Sequence, residues 1–301
     1  MRNLLEIYFL FEKRVIFSIW LAFFCSSVIL VCIFQLSKIK GSKMKYMGSK
    51  NRIAKQLLPI ITANRGLEQF YVEPFVGGAN MIDKVDGNRI GSDNNKYLIA
   101  MWKKLQSGWI PPEFITREFY SECRDKYNNG VANESEWHII GYVGFNGSYG
   151  GRFYDGGYAG VVTTKNGEER NYPKEAYRNV MKQVDKIKGV DFKYCSYEEL
   201  SIPKSSVIYC DIPYSNSKKY NTAKDFDYDG FWQWCRDKVG EGHLVFVSEY
   251  SAPDDFDCVW EKEVRSSLRA NGVVGGDKKS VEKLFAYNKQ RSMGFVQSTL
   301  W

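Results

Sequence analysis

The run Ser206-Val-Ile-Tyr-Cys-Asp211-Ile-Pro-Tyr214 constrains this 301-residue chain more than any other stretch. Val207 to Cys210 are all apolar or aromatic, without the polar alternation of a strand that has one wet face. They specify a short strand buried on both sides, and such strands belong in parallel sheets covered by helices on both faces. Phe70–Glu73, Arg89–Asp93, Asp191–Cys195 and Leu244–Ser248 read as further strands, as do Cys258–Val264 and Val281–Tyr287. Helical periodicity fills most of the intervals. The expected fold is α/β, a doubly wound Rossmann-like sheet with a mainly helical and loop insertion near 96–190.

What stands at the strand ends carries the chemistry. Val207–Cys210 runs into the Asp211 carboxylate, the Ile212 carbonyl in front of Pro213, and the Tyr214 ring. Pro213 holds Ile212 in extended backbone. Two acceptors and a stacking plate within one turn suit a flat heterocycle that carries an exocyclic amino group. Phe70–Glu73 runs into Pro74-Phe75-Val76-Gly77-Gly78, and a strand, a double glycine and then a helix make the shape of a nucleotide-binding turn. Glycines there let the backbone approach a ligand where a Cβ would collide. Asp93, twenty residues beyond Glu73, ends the next strand at the spacing of a ribose-binding acid. Upstream, Lys45-Tyr46-Met-Gly-Ser-Lys50 is a basic glycine-containing turn. It leads into a helix with Ile53, Leu57, Leu58 and Ile61 on one face and Pro59 near its end.

Within the insertion, Tyr97 to Lys126 has helical character broken at Pro111-Pro112, and Asn133-Glu-Ser-Glu136 fits a capping box. Gly144 to Gly160 alternates glycines with aromatic rings. It is expected to form an irregular loop, either a surface Ω-loop or a pocket wall offering rings to bases. Pro173 opens a helix that places Tyr177, Val180, Met181, Val184 and Ile187 on one face and Arg178, Lys182, Lys186 and Lys188 on a solvated one. The polar segment 215–228, with Lys218, Lys219 and Tyr220, reads as a flap beside the site. Asp229 is expected to cap a helix over 230–239.

Composition narrows the classes. A hydrophobic content of 44% is enough for a sizeable core. The net charge of +7 is uneven, because residues 1–43 hold six Lys/Arg against two Glu and leave 36 basic and 33 acidic residues in the rest. Charge alone is thus a weak pointer to a polyanion. The seven cysteines form no C-x-x-C pair, and only His138 and His243 are present, so reduced thiols and no metal site are expected. Val15 to Leu36 is an uncharged run of 22 residues. As a helix it would be about 33 Å long, enough to span a bilayer. Two readings stand: a membrane anchor with a cytoplasmic body, or sequence upstream of a natural start at Met44 in a cytoplasmic protein.

Taken together and in order, Lys45-Tyr-Met-Gly-Ser-Lys50, Glu73-Pro-Phe-Val-Gly-Gly78, Ser92-Asp93-Asn94 and Asp211-Ile-Pro-Tyr214 resemble the motifs of Dam-like adenine-specific DNA methyltransferases, over about residues 44–290. The resemblance implies a methyltransferase domain over 44–301, with its target-recognition region within 96–190 and S-adenosylmethionine at the carboxyl ends of the strands. Carried over by position, Tyr46, Lys50, Glu73, Pro74, Phe75, Gly77, Gly78, Asp93 and Asp211 would bind the cofactor. Asp211, Ile212, Pro213 and Tyr214 would form the catalytic motif, acting on an adenine flipped out of double-stranded DNA. Asp in the first place of that motif favours adenine over cytosine N4. Two departures stand out: Ile212 replaces the usual proline, and Ser196-Tyr197 replaces an aspartate followed by an aromatic. An RNA-directed enzyme, a cytosine-N4 enzyme and an inactive DNA- or cofactor-binding relative are the alternatives. A nicotinamide-dependent dehydrogenase would leave Asp211–Tyr214 without a role and lacks a G-x-G-x-x-G fingerprint.

Overall fold

A computed structural model describes residues 43–164, 166–214, 226–265 and 279–293. The apolar run 15–36, residues 215–225 of the expected flap, and the loop 266–278 lie outside the described residues. Among the described residues no helix is long and apolar enough to cross a membrane.

The strands are β1 (Tyr71–Glu73), β2 (Arg89–Asp93), β3 (Val161–Thr163), β4 (Glu169–Asn171), β5 (Val190–Tyr194), β6 (Val207–Asp211), β7 (Leu244–Glu249), β8 (Phe256–Arg265) and β9 (Lys279–Tyr287). The α-helices are α1 (Ala54–Ile61), α2 (Lys96–Gln106), α3 (Arg117–Asn128), α4 (Trp137–Asn146), α5 (Tyr172–Ile187) and α6 (Tyr228–Gly240). Seven strands form one sheet in the order β5-β2-β1-β6-β7-β9-β8, and β3 and β4 pair as a separate hairpin. The first five of that order are parallel, whereas β9 runs antiparallel to both neighbours.

Strand β6 shows why the sheet is buried on both faces. Val207 and Tyr209 join one core, while Ile208 and Cys210 join the other. Tyr71 and Val72 of β1 divide in the same way, as do Phe246 and Val247 of β7. Successive side chains on a strand point to opposite faces, so an unbroken apolar run needs an apolar layer on each. The first layer takes Leu57 and Ile61 of α1, Leu98 and Trp102 of α2, Val143 of α4 and Val180 of α5. The second takes Phe231, Trp232, Cys235 and Val239 of α6.

The chain order reverses between β1 and β6. From β1 it winds outward through β2 to β5, then crosses back to β6 and proceeds to β7. A ligand crevice is expected outside the carboxyl ends of the strands at such a switch point. The register sets Glu73 beside Gly91 and Asp211 beside Ser248, so both carboxylates lie at that edge. Because β9 is antiparallel, its first residues arrive at the same edge.

Several expectations are corrected. After Gly78 only a short 3-10 turn, Ile82–Lys84, forms where a helix was expected. Helix α6 is capped by Asp227, whose carboxylate accepts from the Gly230 N–H, and not by Asp229. The inward stripe of α5 centres on Ala176, Asn179, Val180, Gln183 and Ile187, with Tyr177, Met181 and Val184 only half-buried. Gly144 to Asn146 belong to α4, because Gly141 and Gly144 let it sit against its neighbours. A Cβ on Gly141 would lie 2.1 Å from the Tyr97 carbonyl oxygen, and one on Gly144 would lie 2.4 Å from the Phe153 ring.

Four of the five rings in 144–160 are buried or half-buried, which does not fit a surface loop. Phe145 and Tyr154 are buried, Phe153 packs against Tyr97, Tyr127 and Phe145, and the Tyr154 hydroxyl donates to the Ile140 carbonyl at 2.9 Å. The Tyr158 hydroxyl likewise donates to the Ile115 carbonyl at 2.6 Å. Tyr149 is the exposed one.

Candidate active site

The site is built on the loop that follows β1. Val76 N–H donates to the Ser92 carbonyl at 2.8 Å, and the Gly77 carbonyl accepts from the Trp102 indole at 3.0 Å. The Gln183 amide, buried on α5, donates to the Gly78 and Ala79 carbonyls at 3.0 Å each and accepts from the Met44 N–H at 3.2 Å. Pro74 is buried, and its carbonyl accepts from the Ser92 hydroxyl at 3.3 Å. The loop's backbone groups are therefore held by side chains from two helices and a neighbouring strand.

The double glycine has a more local reason than ligand approach alone. A Cβ on Gly77 would lie 2.7 Å from the Tyr46 ring, and one on Gly78 would lie 2.6 Å from the Tyr46 Cβ and 2.6 Å from the Asn80 amide. Gly77 also has φ +46°, a left-handed conformation that side chains disfavour. Tyr46 thus lies on the glycine loop, and its ring also stacks on Phe145 at 5.5 Å.

Asp93 closes the loop at the end of β2. One carboxylate oxygen accepts from the Gly77 N–H at 3.1 Å and the other from the Asn95 N–H at 2.9 Å. Burial pushes its carboxyl up to about 6, and those two N–H groups restrain the shift. Glu73 is buried at the end of β1, and its Oε1 has no hydrogen-bond partner among the described residues. Burial holds that carboxyl well above the usual carboxylate range, the adjacent Tyr71 hydroxyl opposing only in part.

Phe75 points to the other core. Its ring meets Tyr197 at 5.4 Å, Phe231 at 5.8 Å and Phe226 at 5.9 Å. Ser196, where the resembling family carries an aspartate, is clasped with Glu199. Its hydroxyl accepts from the Glu199 N–H at 3.3 Å, and its own N–H donates to the Glu199 carboxylate at 3.2 Å.

Asp211 stands at the end of β6 and receives Lys50. The Lys50 ammonium is 2.8 Å from the Asp211 carboxylate, 3.8 Å from Glu282, and 4.5 Å from the centroid of the Tyr214 ring. It also donates to the Gly48 carbonyl at 3.1 Å, which pins the amine to its own turn. Burial raises the Asp211 carboxyl above its ordinary value, and Lys50 pulls it partly back. For Lys50, burial is outweighed by Asp211 and Glu282, so the amine is held above its ordinary value and stays protonated.

The rest of the motif is fixed from three sides. Ile212 is 3% exposed in the core beneath α6, so the branched side chain in the proline place is absorbed as apolar packing. The Pro213 carbonyl accepts from the Tyr228 hydroxyl at 2.9 Å. The Tyr214 hydroxyl donates to Glu282 at 2.7 Å, and its ring stands edge-on to Tyr250 at 4.5 Å. Tyr46 lies close enough to both Asp93 and Asp211 for each carboxylate to raise its phenol further, on top of a larger effect of burial.

All the sequence-derived positions therefore gather at one edge of the sheet. Lys50 contacts both Asp211 and Tyr214, Tyr46, Gly77, Gly78 and Asp93 form a second group, and Phe75 belongs to an aromatic group beside them. Sequence reasoning missed Glu282, Tyr250, Gln183 and Tyr228. The signal for Glu282 was a carboxylate two residues before the apolar Leu284 in a strand whose alternate positions turn inward.

The chain matches the sequence model of the D12 class N6 adenine-specific DNA methyltransferase family over residues 46–236. No curated protein matches the chain in a similarity search. The matched span begins at Tyr46 and contains the glycine loop, Asp93 and the Asp211–Tyr214 motif, so the chain belongs to the D12 class N6 adenine-specific DNA methyltransferases.

Proposed function

We propose that Asp211, the Ile212 carbonyl and Tyr214 hold the target adenine, and that the Glu73–Gly78 loop with Asp93 and Tyr46 holds S-adenosylmethionine. The observation that carries this reading is the juxtaposition of Asp211, Lys50 and Tyr214 beside the glycine loop at the switch point of the sheet. The donor set fits the cofactor. Glu73 has a buried oxygen with no partner among the described residues, suited to a cationic group, and Asp93 accepts only two N–H groups among them, which leaves lone pairs for hydroxyls. When bound, S-adenosylmethionine supplies an electrophilic methyl group on a sulfonium centre.

The N6 amino group of adenine is a poor nucleophile because its lone pair is delocalised into the ring. Accepting its two hydrogens on the Asp211 carboxylate and the Ile212 carbonyl favours a pyramidal nitrogen with the lone pair directed outward. As the N–methyl bond forms and the sulfonium–methyl bond breaks, leaving a neutral thioether, one of those protons must leave, and on this reading Asp211 is the acceptor in contact with it. Holding base and donor in this geometry supplies most of the acceleration. The adenine reaches Asp211 by leaving the duplex, at a cost of a few kcal/mol. Residues within 96–190 supply target recognition on this reading, and double-stranded DNA is the substrate.

Tyr214 tests the placement of the base. Ring stacking contributes about 1–3 kcal/mol, so Tyr214→Ala lowers kcat/KM on duplex DNA by about 5- to 150-fold. Tyr214→Phe keeps the ring and loses less. Equal activity of Tyr214→Ala and wild type would remove Tyr214 from the base site.

A further inference from the structure

Glu282 is out of place by the pattern of its own strand. Side chains two apart on β9 share a face, so Glu282 continues the row of Leu284 and Ala286, which are buried in the same core as Tyr209 and Phe246. A carboxylate at the head of such a row is retained only against partners that repay its desolvation. Its side chain is 16% exposed and, among the described residues, meets the Tyr214 hydroxyl at 2.7 Å and the Lys50 ammonium at 3.8 Å. Because β9 is antiparallel to β7, these contacts fall at the edge where Asp211 ends β6.

Lys50 occupies the place that an amino-bearing base would need. It contacts the Asp211 carboxylate and sits over the Tyr214 ring, the same two partners assigned to the adenine amino group and its ring. An adenine entering this site must displace the ammonium from Asp211. A buried cation that loses one carboxylate requires another, or it opposes the binding that displaces it. Glu282 is the carboxylate already beside it, and its two oxygens can accept from Lys50 and the Tyr214 hydroxyl together.

We propose that Glu282 is a positioning residue for methyl transfer, anchoring the Tyr214 ring through its hydroxyl and receiving the Lys50 ammonium when the target amino group takes Asp211. The proposal rests on the assignment of Asp211 and Tyr214 given above. Glu282 touches neither base nor cofactor on this account. It acts through Tyr214 and Lys50, which belong to elements more than two hundred residues apart in the case of Lys50 and Glu282.

The test is steady-state methylation of duplex DNA by Glu282→Gln, Glu282→Ala, Tyr214→Phe and the Tyr214→Phe/Glu282→Ala double variant, with Asp211→Ala alongside. Glu282→Gln keeps an acceptor for the hydroxyl and removes the charge that receives Lys50. Its kcat falls about 10- to 100-fold, with the KM for S-adenosylmethionine and the melting temperature unchanged. Glu282→Ala falls further, and in the Tyr214→Phe background it costs less than in wild type, because the hydroxyl bond is already gone. Wild-type kcat in Glu282→Gln overturns the proposal, as does an undiminished effect of Glu282→Ala in the Tyr214→Phe background. If Glu282→Ala does not fold, the isosteric Glu282→Gln decides alone. An active Asp211→Ala enzyme instead refutes the underlying assignment. An inactive Asp211→Ala with a fully active Glu282→Gln refutes the role of Glu282 only.

Discussion

The Lys50 ammonium lies 2.8 Å from the Asp211 carboxylate, and both groups are largely withdrawn from solvent. Burial works against the ionised acid and the cation works for it, so the acceptor strength of Asp211 is set by this pair.

Removing the cation has a definite sign. Without Lys50 the opposition to burial is lost, the Asp211 carboxyl rises further, and it stays protonated to a higher pH. Lys50→Met therefore shifts the acid limb of the pH–kcat/KM profile, which reports the unliganded enzyme in which Lys50 faces Asp211, to higher pH, in addition to any loss of rate. An acid limb that stays in place or moves to lower pH in Lys50→Met would show that Asp211 does not control it.

The fit of Tyr46 into the glycine loop gives a stability prediction. Gly78→Ala places a Cβ 2.6 Å from the Tyr46 Cβ, an overpacking that costs about 1–3 kcal/mol and weakens S-adenosylmethionine binding. Alanine at 46 would keep the Cβ that is struck, so the partner is trimmed in Gly78→Ala/Tyr46→Gly, which removes the contact with Tyr46 and leaves the one with Asn80. The two substitutions are then less than additive in thermal melts. Strict additivity would mean that the loop does not meet the ring.

Gln183 bears on the same loop from the far side. Gln183→Leu leaves the Gly78 and Ala79 carbonyls and the Met44 N–H without their side-chain partner, each costing about 1–3 kcal/mol when buried. A fall of several degrees in melting temperature and weaker S-adenosylmethionine binding by calorimetry are expected. An unchanged melting temperature would contradict the role of Gln183 as the loop's anchor.

Much of this arrangement was legible in the sequence, for identifiable reasons. The strands that carry Asp93 and Asp211 are bounded by their own chemistry, apolar residues ending on an acid, and β2 and β6 form where that pattern places them. The capping box at Asn133–Glu136 forms because it depends only on near neighbours. What was not legible depends on chain distant in sequence. The double glycine implied a ligand, and the second reason for it, a close approach to the Tyr46 side chain from about thirty residues earlier, could not be read from the motif. The rings of 144–160 looked exposed because glycines interrupt them, yet Tyr97, Tyr120 and Tyr127 from α2 and α3 enclose them. Glu282 had no motif around it, because its meaning comes from an antiparallel strand delivered to the end of a parallel sheet. The departure at Ile212 is explained by the apolar packing beneath it, which a tetrapeptide does not show.

The central claim is that Asp211 is the acceptor for the adenine amino group. The most direct measurement incubates duplex DNA with S-adenosylmethionine and either wild-type protein or Asp211→Ala, then digests the DNA and quantifies modified nucleosides by mass spectrometry. The account predicts N6-methyladenine from the wild type, and none from Asp211→Ala under conditions where a mobility shift shows that the variant still binds the duplex. N6-methyladenine formed by Asp211→Ala at the wild-type rate would contradict it.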